Sequence, residues 1–133
     1  MYEYRHMNTN VSMLNYHFVF CPRFRRKIFL IPRVEELFKN RVTEICKKLD
    51  IEILAMECDK DHVHLFLNCP PTLSPAYIIK EIKGATGRFI MTEVKELSKM
   101  QNLWTRSYFV STAGNVSSAT IKQYVENQKK RSS

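Results

Sequence analysis

The chain has 133 residues, and its 21 Lys and Arg against 13 Asp and Glu give a formal charge of +8. That length predicts one domain over 1–133, and 44% hydrophobic with 11% aromatic residues supply a core, which excludes global disorder. No apolar run approaches the roughly 20 residues that cross a bilayer, and residues 1–12 hold no apolar signal segment, so the expectation is a cytoplasmic protein without a membrane partner.

Cys21, Cys46, Cys58 and Cys69 are spaced 25, 12 and 11 apart with no C-x-x-C pair. This argues against a closed zinc site and for reduced cysteines packed as small hydrophobes. The pI near 9.5 points to a polyanionic partner.

In chain order, residues 13–21 (MLNYHFVFC) predict a strand that Pro22 stops. Residues 23–33 carry five basic residues and two Phe and read as a connection. Pro32 suits the first turn of a helix running to about Leu49. Its apolar stripe is Val34, Leu37, Phe38, Val42, Ile45 and Leu49. Residues 51–58 and 62–69 predict two strands joined by Asp59-Lys60-Asp61 as a hairpin. Ser74 as N-cap with Pro75 at the first helical position opens a second helix to about Thr92. Gly84 and Gly87 within it permit either close packing or a break. Residues 107–112 predict a short fourth strand. Gly114-Asn115 is a turn, and a last helix begins at Ser117 or Ser118 and runs to about Lys130. The order β-α-β-β-α-β is the split βαβ, ferredoxin-like one. The fold class is therefore α+β: a four-stranded antiparallel sheet with both helices on one face.

Asp61-His62-Val63-His64-Leu65-Phe66 is the strongest local signal. Side chains alternate along a strand, so Val63, Leu65 and Leu67 share the helix-covered face. His62 and His64 stand on the face the helices leave open, about 7 Å apart by the strand rise. Neutral imidazoles there can share a metal, with a third ligand from elsewhere; the alternative is two half-exposed histidines on a polar face. On the last helix, Tyr124 and Gln128 lie one turn apart among Lys122, Lys129, Lys130 and Arg131. Neighbouring cations favour a phenolate, which suits a nucleophile towards phosphate; the alternative is an ordinary amphipathic helix. Basic residues interleave with aromatics at Arg23, Phe24, Arg25, Arg26 and Lys27, and Lys80, Lys83 and Arg88 follow on the second helix. Cations there can meet phosphates while rings stack on unpaired bases, or the surface is only solvated. His17 reads as a core histidine, as a support for the metal ligands or as a site residue, and Asp61 is a second candidate support.

Together these segments resemble the single-tyrosine HUH transposases of the 200/605 group of bacterial and archaeal insertion sequences. The resemblance spans nearly the whole chain. It rests on Asn15-Tyr16-His17 with Pro22 to Lys27, on Asp61 to Leu65, on Ser107 to Ser117, and on Tyr124-Val125-Glu126-Asn127-Gln128. It implies a metal-dependent strand transferase acting on single-stranded DNA, at the hairpin ends of a mobile element, and an obligate homodimer. It further implies that His62, His64 and Gln128 hold Mg²⁺ or Mn²⁺ and that Tyr124, on a catalytic helix at about 117–130, is the nucleophile. Arg23, Arg25, Arg26, Lys27, Lys83 and Arg88 are then expected at DNA phosphates. A 5′-phosphotyrosine would conserve the phosphodiester energy, so no nucleotide cofactor is expected, in agreement with the absence of G-x-x-x-x-G-K-[ST]. Two alternatives stay open. One is a domesticated relative acting on palindromic repeats; the other is a non-catalytic single-stranded nucleic-acid-binding module on the same fold.

Overall fold

The computed structural model describes residues 13–112. The strands are β1 (Leu14–Phe20), β2 (Glu52–Asp59), β3 (His62–Cys69) and β4 (Phe109–Thr112), and the helices are α1 (Val34–Lys48) and α2 (Pro75–Glu93). They form one four-stranded sheet in the order β2-β3-β1-β4, every pairing antiparallel. Among the described residues no helix is long and apolar enough to cross a membrane.

Alternation sorts each strand. Tyr16, Phe18 and Phe20 of β1 and Val63, Leu65 and Leu67 of β3 are buried with Val34, Phe38 and Val42 of α1 and Ile78, Ile82 and Ile90 of α2. The remaining stripe residues of α1, Leu37, Ile45 and Leu49, pack on the edge of this core. In α2, Ser74 caps the first turn by accepting from the Tyr77 amide at 3.1 Å, ahead of Pro75. Glu35 and Glu36 open α1 and Lys47 and Lys48 close it, matching the helix dipole.

Two boundaries differ from the sequence expectation. Helix α1 begins at Val34, because Arg33 takes a left-handed φ of 76° and leaves Pro32 in the preceding turn. The fourth strand starts at Phe109 rather than Ser107, since the carbonyls of Thr105 and Ser107 are turned towards Lys83. Helix α2 runs through both glycines without a break: Gly84 faces open space, and a Cβ on Gly87 would lie 3.4 Å from Trp104 Cδ1. Strand β2 is irregular between Ile53 and Ala55, so that Ile53 pairs with Leu67 but Ala55 pairs with Phe66. This irregularity keeps Ile53, Met56 and Cys58 opposite core residues and sets Glu57 opposite His64 and Asp59 opposite His62.

Trp104 closes the core. Its ring meets Phe20 edge-on at 4.8 Å and Phe38 at 5.5 Å, and its indole N–H donates to Thr86 Oγ1 at 3.0 Å. The chain around it runs beside the end of β1, with Arg23 N–H donating to Leu103 O at 2.8 Å and Thr105 N–H to Cys21 O at 3.0 Å. The last helix expected at about 117–130 lies outside the described residues.

Candidate active site

Strand β3 presents His62 and His64 on the face away from the helices, while Val63, Leu65 and Leu67 are fully buried beneath them. The two imidazoles meet edge to face with centroids 5.1 Å apart. Both line a cavity of about 470 Å³ with Val19, Arg25, Tyr108 and Phe109. The face is not open along its whole length, as expected from alternation alone. Asn15, His17, Phe66 and Asn68 are 7% exposed or less. His17 stacks on Phe66 at 4.1 Å with 9° between the rings, and Asn68 donates to Asn15 Oδ1 at 2.8 Å, so these groups bury one another's polar and aromatic surface.

Each histidine is held from behind. His64 Nδ1 lies 3.0 Å from His17 Nε2, so one ring nitrogen donates and the other accepts. His62 Nδ1 lies 3.1 Å from Asp61 Oδ1, and the carboxylate's other oxygen accepts from Arg25 Nε at 3.2 Å. Arg25 Nη2 adds a second contact at 3.2 Å. Asp59 Oδ2 stands 3.6 Å from His62 Nε2.

The electrostatics favour neutral imidazoles at His17 and His64. Burial, with the neighbouring His64, lowers the His17 pKa to about 4. Burial and then the charge of His62 lower that of His64. The hydrogen bond to His62, followed by that from Arg25, holds the Asp61 carboxyl below the usual range. A neutral imidazole fixed at Nδ1 offers its Nε2 lone pair outward, which is the state a metal ligand needs. Among the described residues no group of three or more His, Cys, Asp and Glu is arranged around one metal position. The pair His62 and His64 therefore fits a divalent ion as part of its ligand set and leaves room for a donor from outside it.

The family model for IS200-like transposases matches residues 10–128. The chain belongs to that family. It is 31% identical over 121 residues to the ISDra2 transposase TnpA of Deinococcus radiodurans, covering 89% of this chain and 86% of that one. It is 28% identical over 116 residues to the transposase of insertion sequence element IS200 from Salmonella typhimurium, covering 85% and 75%. Among solved structures, a candidate transposase from Deinococcus radiodurans superposes with a TM-score of 0.74 at 30% identity, over 93% of this chain and 97% of that one. A REP-associated tyrosine transposase bound to a REP hairpin shares the fold with a TM-score of 0.60 at 18% identity, over 96% and 68%. This IS200-like transposase is thus of a class of enzymes that act on DNA.

The transposase brings some of the expected site residues together and separates others. His62, His64, His17, Asp61 and Arg25 form one connected cluster. Arg23 and Arg88 line a separate cleft of about 1030 Å³ together with Arg106. Arg26 and Lys27 are exposed on the turn after β1. Lys83 differs from a free surface cation. Its ammonium donates to Thr105 O at 2.7 Å and Ser107 O at 2.9 Å and sits above the Phe20 and Tyr108 rings, and burial lowers its pKa. Two of its three protons are therefore spent on backbone carbonyls. Tyr124 and Gln128 lie outside the described residues. Sequence reasoning did not place Asp59, Arg106 or Trp104 near either site: Arg106 and Trp104 come from a distant stretch of chain, and Asp59 meets His62 only through the pairing of the tight β2–β3 hairpin.

Proposed function

We propose that this transposase cuts and rejoins single-stranded DNA at insertion-sequence ends through a covalent 5′-phosphotyrosine. The observation that carries the reading is the pair of His62 and His64, buttressed at Nδ1 by His17 and Asp61 beside a cationic turn, in a chain of the IS200-like family. His62 and His64 would hold a divalent ion, Mg²⁺ or Mn²⁺, with Gln128 as a further ligand.

When bound, that ion supplies Lewis-acid polarisation of the scissile phosphate and stabilises charge on the leaving oxygen. His17 and Asp61 hold the two imidazoles at Nδ1 and leave their Nε2 atoms as the candidate ligand atoms. Arg23, Arg25, Arg26, Lys27 and Arg88 neutralise backbone phosphates, and Lys83 contributes positive potential from its clamped position. Tyr124 loses its phenolic proton and its oxygen attacks phosphorus. The phosphorus bond to the 3′ oxygen breaks, and that oxygen takes up a proton. The phosphotyrosine keeps the phosphodiester energy, so a free 3′-OH can reverse the step and join a new strand.

The working unit would be a homodimer. Strand β4 is a sheet edge whose flank exposes Phe109 at 58% and Tyr108 at 37%, and an unpaired apolar edge favours pairing with a second chain. A second reading, action on palindromic repeats, draws on the likeness to the hairpin-bound REP-associated transposase; it uses the same chemistry on a different substrate.

Labelled single-stranded DNA carrying the flanking ends, incubated with the protein and Mn²⁺, tests the proposal. A covalent protein–DNA band that disappears in Tyr124→Phe supports it. Binding without any adduct would reduce the chain to a nucleic-acid-binding module.

A further inference from the structure

The turn that follows β1 ends in an exposed ring. Phe24 is 83% exposed, the most exposed of the large hydrophobic side chains among the described residues. It is also held in a left-handed conformation, with φ 61° at Phe24 and φ 52° at the adjacent Arg25. A bulky residue rarely adopts this backbone, and it persists only where the surroundings enforce it.

The surroundings here do so. Arg23 N–H donates to Leu103 O at 2.8 Å, Arg25 N–H to Pro22 O at 3.0 Å and Arg26 N–H to Arg23 O at 3.3 Å. The Arg25 guanidinium is tied to Asp61 on the far side. None of these contacts involves the Phe24 ring, so the fold strains the backbone to present a ring that serves no core.

What lies around the ring is cationic and amide-rich. Phe24 forms part of the wall of the 1030 Å³ cleft that also holds Arg88, Gln101, Asn102 and Arg106. On its other flank a second cleft of about 420 Å³ adds Arg26 and Lys99 against a single acid, Glu96. The Arg23 guanidinium stacks over the Phe24 ring at 5.2 Å. Arg25, the next residue, lines the cavity of His62 and His64. The ring therefore stands between a basic cleft and the histidine site.

We propose that Phe24 is the stacking platform for one unpaired base of the DNA that this transposase handles. Arg23, Arg26 and Arg88 hold the flanking phosphates, and the amides of Gln101 and Asn102 meet the edge of the base. An aromatic face accepts any base, while side-chain amides can discriminate among base edges. The inference rests on the reading of the chain as acting on single-stranded DNA and adds the residue that grips a base beside the reaction site.

The experiment uses the full chain in EDTA, so that binding is measured without cleavage. The probe is a set of short single-stranded DNA oligonucleotides, each with 2-aminopurine at one position, read by fluorescence and by titration. Phe24→Ala should weaken binding roughly 5- to 150-fold, the span seen for loss of one stacked base, and should abolish quenching at one 2-aminopurine position. Phe24→Trp should preserve both. Phe24→Gly, which suits φ 61°, should melt no lower than wild type yet bind as weakly as Phe24→Ala, separating folding from stacking. Duplex DNA of the same sequence should bind the variants and wild type alike. If wild type binds the oligonucleotides and Phe24→Ala binds them equally well, the platform is wrong and the single-strand reading stands. If wild type binds none of them, that reading and the platform fall together. A variant that keeps its DNA affinity but changes its sedimentation marks the ring as a protein contact and overturns the proposal.

Discussion

The two faces of this sheet are built from opposite solutions to burial. Towards the helices, Phe18, Val63, Leu65 and Leu67 are wholly buried and bring no polar side-chain atom with them. Away from the helices, Asn15, His17 and Asn68 are buried too, and the side chains of His17 and Asn68 bond to those of His64 and Asn15. The first face derives its stability from apolar area, which is tolerant of detail. The second depends on directional contacts that fix ring orientation and protonation state, which is what a ligand site requires and a core does not.

Substitutions on the two faces should therefore fail in different ways. The largest effect should be that of His64→Ala on DNA cleavage. Losing a proposed metal ligand should remove several kcal/mol of transition-state stabilisation, or roughly 10³-fold in rate, measured as adduct formation with labelled single strands. Its neighbour Leu65→Ala should instead cost about 2–5 kcal/mol of folding stability, because it opens a cavity in the core, measured by urea denaturation. Should His64→Ala unfold the chain while Leu65→Ala leaves it stable, the contrast between the faces collapses.

A pH series separates them again. The folded-state pKa of His17 is lowered to about 4, against 6.5 in an unfolded chain, and His64 is shifted the same way. Protons thus bind the unfolded chain more readily. The stability of the metal-free protein should be complete above about pH 6.5 and should fall as the pH drops towards 4, by on the order of 3 kcal/mol for His17. His17→Phe should flatten that slope in thermal melts taken across this range. A slope unchanged in the variant would assign the acid sensitivity to other groups.

The smallest effect should come from Asp61→Asn. Loss of the carboxylate behind His62 should weaken Mn²⁺ binding by about 10- to 100-fold, followed by the decline of free-ion signal in paramagnetic resonance, with little change in melting. Equal metal affinity in the variant would make the Asp61 contact incidental.

Much of this arrangement was legible in the sequence. Alternation over His62–Leu67 placed the histidines opposite the core side chains, and Ser74-Pro75 marked the start of α2, because both are local signals carried by adjacent residues. The unusual register of β2 was not legible. Residues 51–58 alternate acceptably in more than one phase, and only the pairing with β3 selects which side Glu57 and Asp59 take. Likewise Lys83 read as a surface cation, since nothing in its own helix reveals that the carbonyls of Thr105 and Ser107 come to meet it. The burial of His17 was among the readings its place in the strand allowed, but its partners Phe66 and His64 come from another strand. Tyr124 and Gln128 were singled out by their spacing on the last helix, while the metal-binding role proposed for Gln128 comes from the family resemblance alone.

The irregularity between Ile53 and Ala55 has a consequence for how this strand can change over time. It acts as a phase switch: upstream of it one parity of residues faces the core, and downstream the other does. Leu54 is the extra residue there, and deleting it would let Ala55 follow Ile53 in step, with Glu57 and Asp59 still opposite His64 and His62. A single-codon deletion there would straighten the strand without exchanging its apolar and acidic sides. A loss of one residue in this stretch should therefore keep the register, whereas a gain of one would enlarge the bulge.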